Sequence, residues 1–250
     1  MSKDAPDLAS RIRAHAAKPA LKRFYEAVTV TEDPGGFGIA LDRRPLRTPA
    51  RAPLLLASRA LAEAIAEEWA AQSEHVVPAS MVLTKLANTA LDRVAGRERE
   101  VAAEIVAYAG CDLLCYRAEA PVGLVERQAA AWDPPLTWAA KRLGSHFVCQ
   151  TCLAHQPQPP AALAALRREV EGQEPFRLAA LHTITTLTGS AILAFAVLDG
   201  HLSPDAAWGA AHVDEDWQIE QWGSDPEAQC RRAARAHEFD CAVRLLGLVN

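Results

Sequence analysis

The sequence has no apolar run long enough to cross a bilayer. A membrane-spanning helix needs roughly 18 or more such residues. The longest candidate, Leu187 to Leu198, is interrupted by Thr188, Gly189 and Ser190 and reads as a buried helix. Residues 1–20 lack the apolar centre of a secretion signal. Arg11, Arg13 and Lys18 leave room for a short transit segment, and Asp4 and Asp7 count against one. Without a secretion signal the six cysteines are expected to stay reduced, with the cytoplasm as the expected compartment. Positive charge is not in excess either. A net charge of −5 argues against nucleic-acid binding, which needs clustered cations at the phosphates.

Motifs for chemistry are equally scarce. No Gly-x-Ser-x-Gly occurs to present a nucleophile, and neither Gly-x-Gly-x-x-Gly nor Gly-x-x-x-x-Gly-Lys-Ser/Thr occurs to cradle phosphates. His182, His212 and His237 have no carboxylate at metal-ligand spacing and read as packed or surface histidines. There is no internal repeat. The sequence therefore offers no nucleophile motif and no phosphate loop.

What is present is a core. Half of the 250 residues are hydrophobic and 23% are charged, the balance of a soluble globular chain. Residues 1–20 read as an arm. From Phe24 to Val30 side chains alternate with period two, and Asp33-Pro34-Gly35-Gly36 turns the chain into Phe37–Leu41. Asp42-Arg43-Arg44-Pro45 is a second turn, with short strands expected at 46–48 and 54–56. Beyond Ser58, a helix cap, the period becomes helical: helices are expected after Ser58, after Pro78, over 98–109, 121–143 with a kink at Pro134-Pro135, 161–171, 175–198, from Ser203 to Gly223, and over 226–248. Asp112–Arg117 fits a helix end or a strand, and Phe147–Cys152 a strand. The fold class read from this pattern is α+β. It comprises an N-terminal antiparallel-sheet domain with helices over 21–117 and an all-helical C-terminal domain over 118–250.

The most unusual stretch is 212–223, His-Val-Asp-Glu-Asp-Trp-Gln-Ile-Glu-Gln-Trp-Gly. On one helix turning about 100° per residue, Trp208, Ala211, Glu215, Ile219 and Trp222 share a face. Asp214, Asp216, Gln218 and Glu220 fall on its flanks. Glu215 thus stands among tryptophans, where a dry environment would raise its pKa. Three readings are open: a solvated helix face, general acid/base chemistry by Glu215 in a tryptophan-lined pocket, or a carboxylate edge for a basic partner. If buried, Glu215 needs a cation, with Arg177 or His182 as candidates.

Four close thiols, Cys111 with Cys115 and Cys149 with Cys152, plus His155, raise a zinc or redox module. Neither pair has the turn glycine of a zinc knuckle, and Pro157 follows where a redox motif wants a helix. Buried or incidental thiols are the plainer reading.

Several separated motifs then occur together. They are Phe24-Tyr25, Leu41-Asp42-x-Arg44-Pro45-x-x-Thr48-Pro49, Leu61-Ala62 with Glu68-Trp69 and Gln72, and Met81, Thr84, Asn88 and Asp92. The later ones are Asp112-Leu113-Leu114-Cys115-Tyr116-Arg117, Gln128 with Trp132-Asp133-Pro134, and Asp214-Glu215-x-x-Gln218-Ile219-x-x-Trp222-Gly223. In this order, over about 22–248, the chain resembles the assembly chaperones of the F-type ATP synthase α subunit, known in mitochondria and in α-proteobacteria. The resemblance implies a chaperone, not an enzyme, that binds the free α subunit and shields its β-contacting surface. It implies no cofactor, and a matrix location were the source eukaryotic. It also suggests Asp214, Glu215, Asp216, Gln218, Glu220 and Trp222 as partner-binding residues, with Glu215 the critical one and the other acids as rim. Where the family turn carries Gly this chain has Arg43, which weakens the expectation of a tight primed hairpin turn.

Overall fold

The computed structural model describes residues 21–151 and 156–249. Three strands form the antiparallel sheet β1-β2-β3: β1 (Val28–Asp33), β2 (Gly36–Leu41) and β3 (Arg44–Pro45). Val28 pairs with Leu41 and Asp33 with Gly36, so the Asp33–Gly36 breaker is the hairpin turn. Gly36 has φ +138°, and a Cβ there would lie 2.4 Å from the Leu56 carbonyl oxygen, so only glycine fits. The expected strand at 54–56 is reduced to one bridge, Phe37 with Leu56, and that at 46–48 to a bridge between Arg47 and Pro53. The first strand starts four residues later than its alternation suggested. Tyr25 instead turns inward, its hydroxyl donating to the Trp69 carbonyl at 2.7 Å.

The β2–β3 turn corrects a second expectation. Asp42 (φ 48°) and Arg43 (φ 70°) are both left-handed, the backbone of a primed hairpin turn made without glycine. The Asp42 carboxylate holds it, accepting the amide N–H groups of Glu26 (3.1 Å) and Ala27 (2.8 Å). Those bonds keep its pKa low.

Ten α-helices follow among the described residues. Ser58 caps α1 (Arg59–Ala70), as expected, by accepting the Leu61 N–H. The next helix, α2 (Val82–Thr89), has no side-chain cap at Met81. Glu68 reaches across from α1 instead and accepts the N–H groups of Leu83 (2.7 Å) and Thr84 (2.8 Å), joining the two helices. A π-helical turn over Ala90–Val94 leads to α3 (Glu98–Gly110) and a 3-10 turn, Leu113–Cys115. So Asp112–Arg117 is neither an α-helical end nor a strand proper; only Tyr116 makes a bridge, to Gln150, and that bridge is all that the described residues show of the strand expected at 147–152. The helix α4 (Val122–Leu143) runs through Pro134 and Pro135.

At the centre lie α6 (Pro175–Thr188) and α7 (Ala191–Leu198), preceded by α5 (Pro160–Glu171). Phe176, Leu178, Ala179, Ala180, Leu181 and Ile184 of α6 are all buried, as are six consecutive residues of α7. Helices apolar all round belong inside a core. The single helix expected over 175–198 divides because Gly189 (φ 68°) ends one and Ser190 caps the next through the Leu193 N–H at 3.0 Å. Asp112, fully buried, accepts the N–H groups of Leu114 and Ile192, each at 3.1 Å, and so pins the 3-10 turn to the start of α7. The chain closes with α8 (Pro204–Ala211), α9 (Val213–Trp222) and α10 (Pro226–Leu248); α10 has the expected bounds and packs along α6. One core cluster runs from Ile39 to Leu246. Among the described residues no helix is long and apolar enough to cross a membrane.

Candidate functional site

The acidic stretch lies at the end of a broken helix, not within a continuous one. His212 (φ −119°, ψ 16°) separates α8 from α9, and three groups take up the carbonyls freed there. The His212 amide bonds the Gly209 carbonyl at 3.1 Å, and its ring Nδ1–H donates to the Trp208 carbonyl at 2.8 Å. The fully buried Trp132 of α4 donates Nε1–H to the Ala210 carbonyl at 2.7 Å. A carbonyl can only accept, so Nδ1 carries the proton and Nε2 faces Glu215. Burial holds the His212 pKa below that of a free imidazole. The break is thus made by a tertiary contact and a histidine ring, with neither Pro nor Gly at the break itself.

After the break, α9 lies on α4. The Trp217 ring covers Gly123, where a Cβ would come within 2.9 Å of it, and Arg127 stacks on the same ring at 4.9 Å from its centroid. Three of the four acids are engaged in holding this arrangement. Asp214 accepts from the buried Gln128 Nε2 at 2.7 Å, while Gln128 Oε1 takes the Ala118 N–H at 2.8 Å. Glu220 pairs with Arg127 at 2.6 Å, and this hydrogen bond pulls its pKa down. Asp216 pairs with Arg232 of α10.

Glu215 is the exception. Its side chain is 38% exposed, and its nearest basic neighbour is the buried His212 ring, with Nε2 at 3.8 Å. His182 bonds Glu104, and Arg177 lines a separate cavity with Arg142 and Glu169. The acids expected as rim thus have partners on neighbouring elements, while Glu215, for which burial would have required a cation, is partly exposed. The positions of Gln128, Arg127 and Arg232 decided this, and pattern along one helix could not show them.

Between α9 and α10 lies an open cleft of about 740 Å³, lined by Trp208, Glu215, Asp216, Gln218, Ile219, Trp222 and, from α10, Arg232 and its neighbours. Four of the six residues singled out in sequence line it, and Asp214 and Glu220 do not. Trp222 is 78% exposed, an unusual position for a large apolar ring. A second cleft of about 690 Å³ lies between the sheet region and α2, lined by Trp69, Met81, Asn88 and Asp92 among others. Sequence reasoning had these residues as motif positions and did not see that they share a cavity.

Cys111 and Cys115 do not pair as their spacing suggested. Cys115 is buried beside the exposed Cys149, whereas Cys111 is exposed and its Sγ contacts the Ala107 carbonyl. Cys152 and His155 lie outside the described residues. Among the described residues no group of three or more His, Cys, Asp or Glu side chains is placed to hold a metal ion.

Comparison with known proteins places this architecture in a class of chaperones. The family model described as ATP12 chaperone protein matches residues 22–140. The crystal structure of Atp12 from Paracoccus denitrificans superposes with a TM-score of 0.86 at 42% identity, covering 92% of this chain and 99% of that one. A protein of Agrobacterium tumefaciens gives a TM-score of 0.90 at 46% identity, over 98% and 92% of the two chains. The mitochondrial protein atp12 of Schizosaccharomyces pombe is 23% identical over 89% of this chain and 78% of its own length. The chain belongs to the ATP12 chaperone family.

Proposed function

We propose that this protein is an assembly chaperone, not an enzyme, that binds the free α subunit of the catalytic head of F-type ATP synthase. On this reading it covers the surface destined for the β subunit and leaves when β competes for it. Binding a partner at an exposed surface and being displaced from it is a matter of mass action, and needs no nucleotide. The observation that carries the choice of site is Trp222. A large ring held out over an open cleft with a half-exposed carboxylate, Glu215, matches the aromatic-plus-charge composition of protein-binding surfaces. Glu215, Gln218 and Trp222 would meet the partner. Asp214, Asp216 and Glu220 would fix the α9 helix that presents them. The alternative, acid/base chemistry by Glu215, calls for an enclosed pocket, and the cleft is open.

Co-purification tests this reading. Tagged protein is expected to retain the α subunit and to release it when β is added. Failure to hold α in the absence of β would overturn it.

A further inference from the structure

Cys115 and Cys149 meet although the whole of α4 lies between them in sequence. The Gln150 N–H donates to the Cys115 carbonyl and the Arg117 N–H to the Gln150 carbonyl, both at 2.8 Å, forming the parallel bridge of Tyr116 with Gln150. Residues preceding the two members of such a bridge point to the same face, and the two thiols hydrogen-bond to each other there. Neighbouring strands are about 4.8 Å apart, inside the roughly 4.4–6.8 Å between Cα atoms that a disulfide spans. Cys149 is exposed and Cys115 buried, so a reagent from solution meets only the first. Arg117 completes the site: its guanidinium lies against Cys149, bonds Asp133 at 2.7 Å and stacks on Trp132 at 5.2 Å from the centroid.

We propose that Cys149 and Cys115 form a thiol–disulfide exchange site that takes a small disulfide such as glutathione disulfide. The Cys149 thiolate attacks one sulfur of the reagent, forming a mixed disulfide and expelling one glutathione thiolate. The Cys115 sulfur then attacks Cys149 Sγ, closes the protein disulfide and releases the second glutathione, to which the Cys115 proton passes. Two protein thiols are oxidised and one glutathione disulfide is reduced to two thiols. The surroundings suit these roles. The hydrogen bond from Cys115, followed by Arg117, lowers the Cys149 pKa to about 6, so the nucleophile exists at neutral pH. Cys115 is raised chiefly by that same bond to Cys149, a restraint that disappears once Cys149 has reacted. The disulfide would tie the connection after α4 to the turn after α3.

The test is incubation of the full chain with glutathione disulfide, followed by intact mass, thiol titration and peptide mapping. The wild type is expected to lose two thiols and two hydrogens and to yield a Cys115–Cys149 cross-linked peptide. Cys115→Ser is expected to stop at one glutathione adduct on Cys149, and Cys149→Ser to form no link to Cys115. A persistent adduct on the wild type, a Cys149–Cys152 link, or no reaction at Cys149 would overturn the proposal. The wild-type map decides even if the Cys115 variant does not fold.

Discussion

Asp112 is a buried carboxyl at which two physical effects oppose each other, and its titration shows which one wins. The side chain has no solvent exposure. Burial raises its pKa to about 6, against the lowering influence of Ser190 and the N–H groups of Ile192, Leu114 and Ala191. If burial prevails, the folded protein holds a proton between pH 3.8 and about 6 that the unfolded chain has lost. Stability then falls as pH rises through that window, because the folded state binds more protons there. At 1.36 kcal/mol per pH unit, the full effect is about 3 kcal/mol. If the hydrogen bonds prevailed, as they do for carboxylates accepting several N–H bonds, the sign would be reversed. Asp112→Asn removes the titration and keeps the shape. The assay is thermal unfolding of both proteins from pH 4.5 to 7.5. The comparison cancels other groups, including His212, whose lowered pKa acts in the opposite direction. The variant is expected to gain on the wild type as pH rises; the part of the window above pH 4.5 is worth about 2 kcal/mol, so the difference in Tm should change by about 4–8 °C. A difference independent of pH, or one that moves the other way, would refute the dominance of burial.

Other outcomes follow from the same geometry. Arg43→Gly relieves a left-handed side chain and should stabilise by about 1 kcal/mol, raising Tm by about 2–4 °C; no gain would mean that Asp42 already absorbs the strain. Trp132→Phe leaves the Ala210 carbonyl unpaired in the core and should cost about 1–3 kcal/mol in denaturant unfolding, with loss below about 0.5 kcal/mol contradicting the role given to that bond at the helix break. Glu215→Gln should leave Tm within about 1 °C and weaken α-subunit binding by several-fold. Asp214→Ala should do the reverse, lowering Tm first, since Gln128 loses its acceptor in a buried position.

Much of the fold was legible because it is written in local chemistry. The Ser58 cap, the Asp33–Gly36 breaker and Pro226 are read within a few residues, and each falls where expected. The motif residues also acquire physical roles as joints between elements. Glu68 caps α2 from α1, Gln72 takes the Val77 N–H at 2.7 Å, and Asp92 takes that of Ala50 at 3.0 Å. What sequence could not supply were partners from distant elements. The break at His212 depends on Trp132, the sorting of the acids on Gln128, Arg127 and Arg232, and the thiol pairing on a bridge formed only after α4 folds back. Gly189 differs: its Gly-Ser boundary was visible but was outweighed by the apolar run around it.

The cleft between α9 and α10 can be examined by amide hydrogen exchange of this chain alone and mixed with free α subunit. Protection is expected across 213–233, where Glu215, Gln218 and Trp222 border the cleft, with little change around the cavity lined by Trp69 and Asn88. Protection confined to that second cavity, or none on adding the α subunit, would contradict the assignment of the binding face.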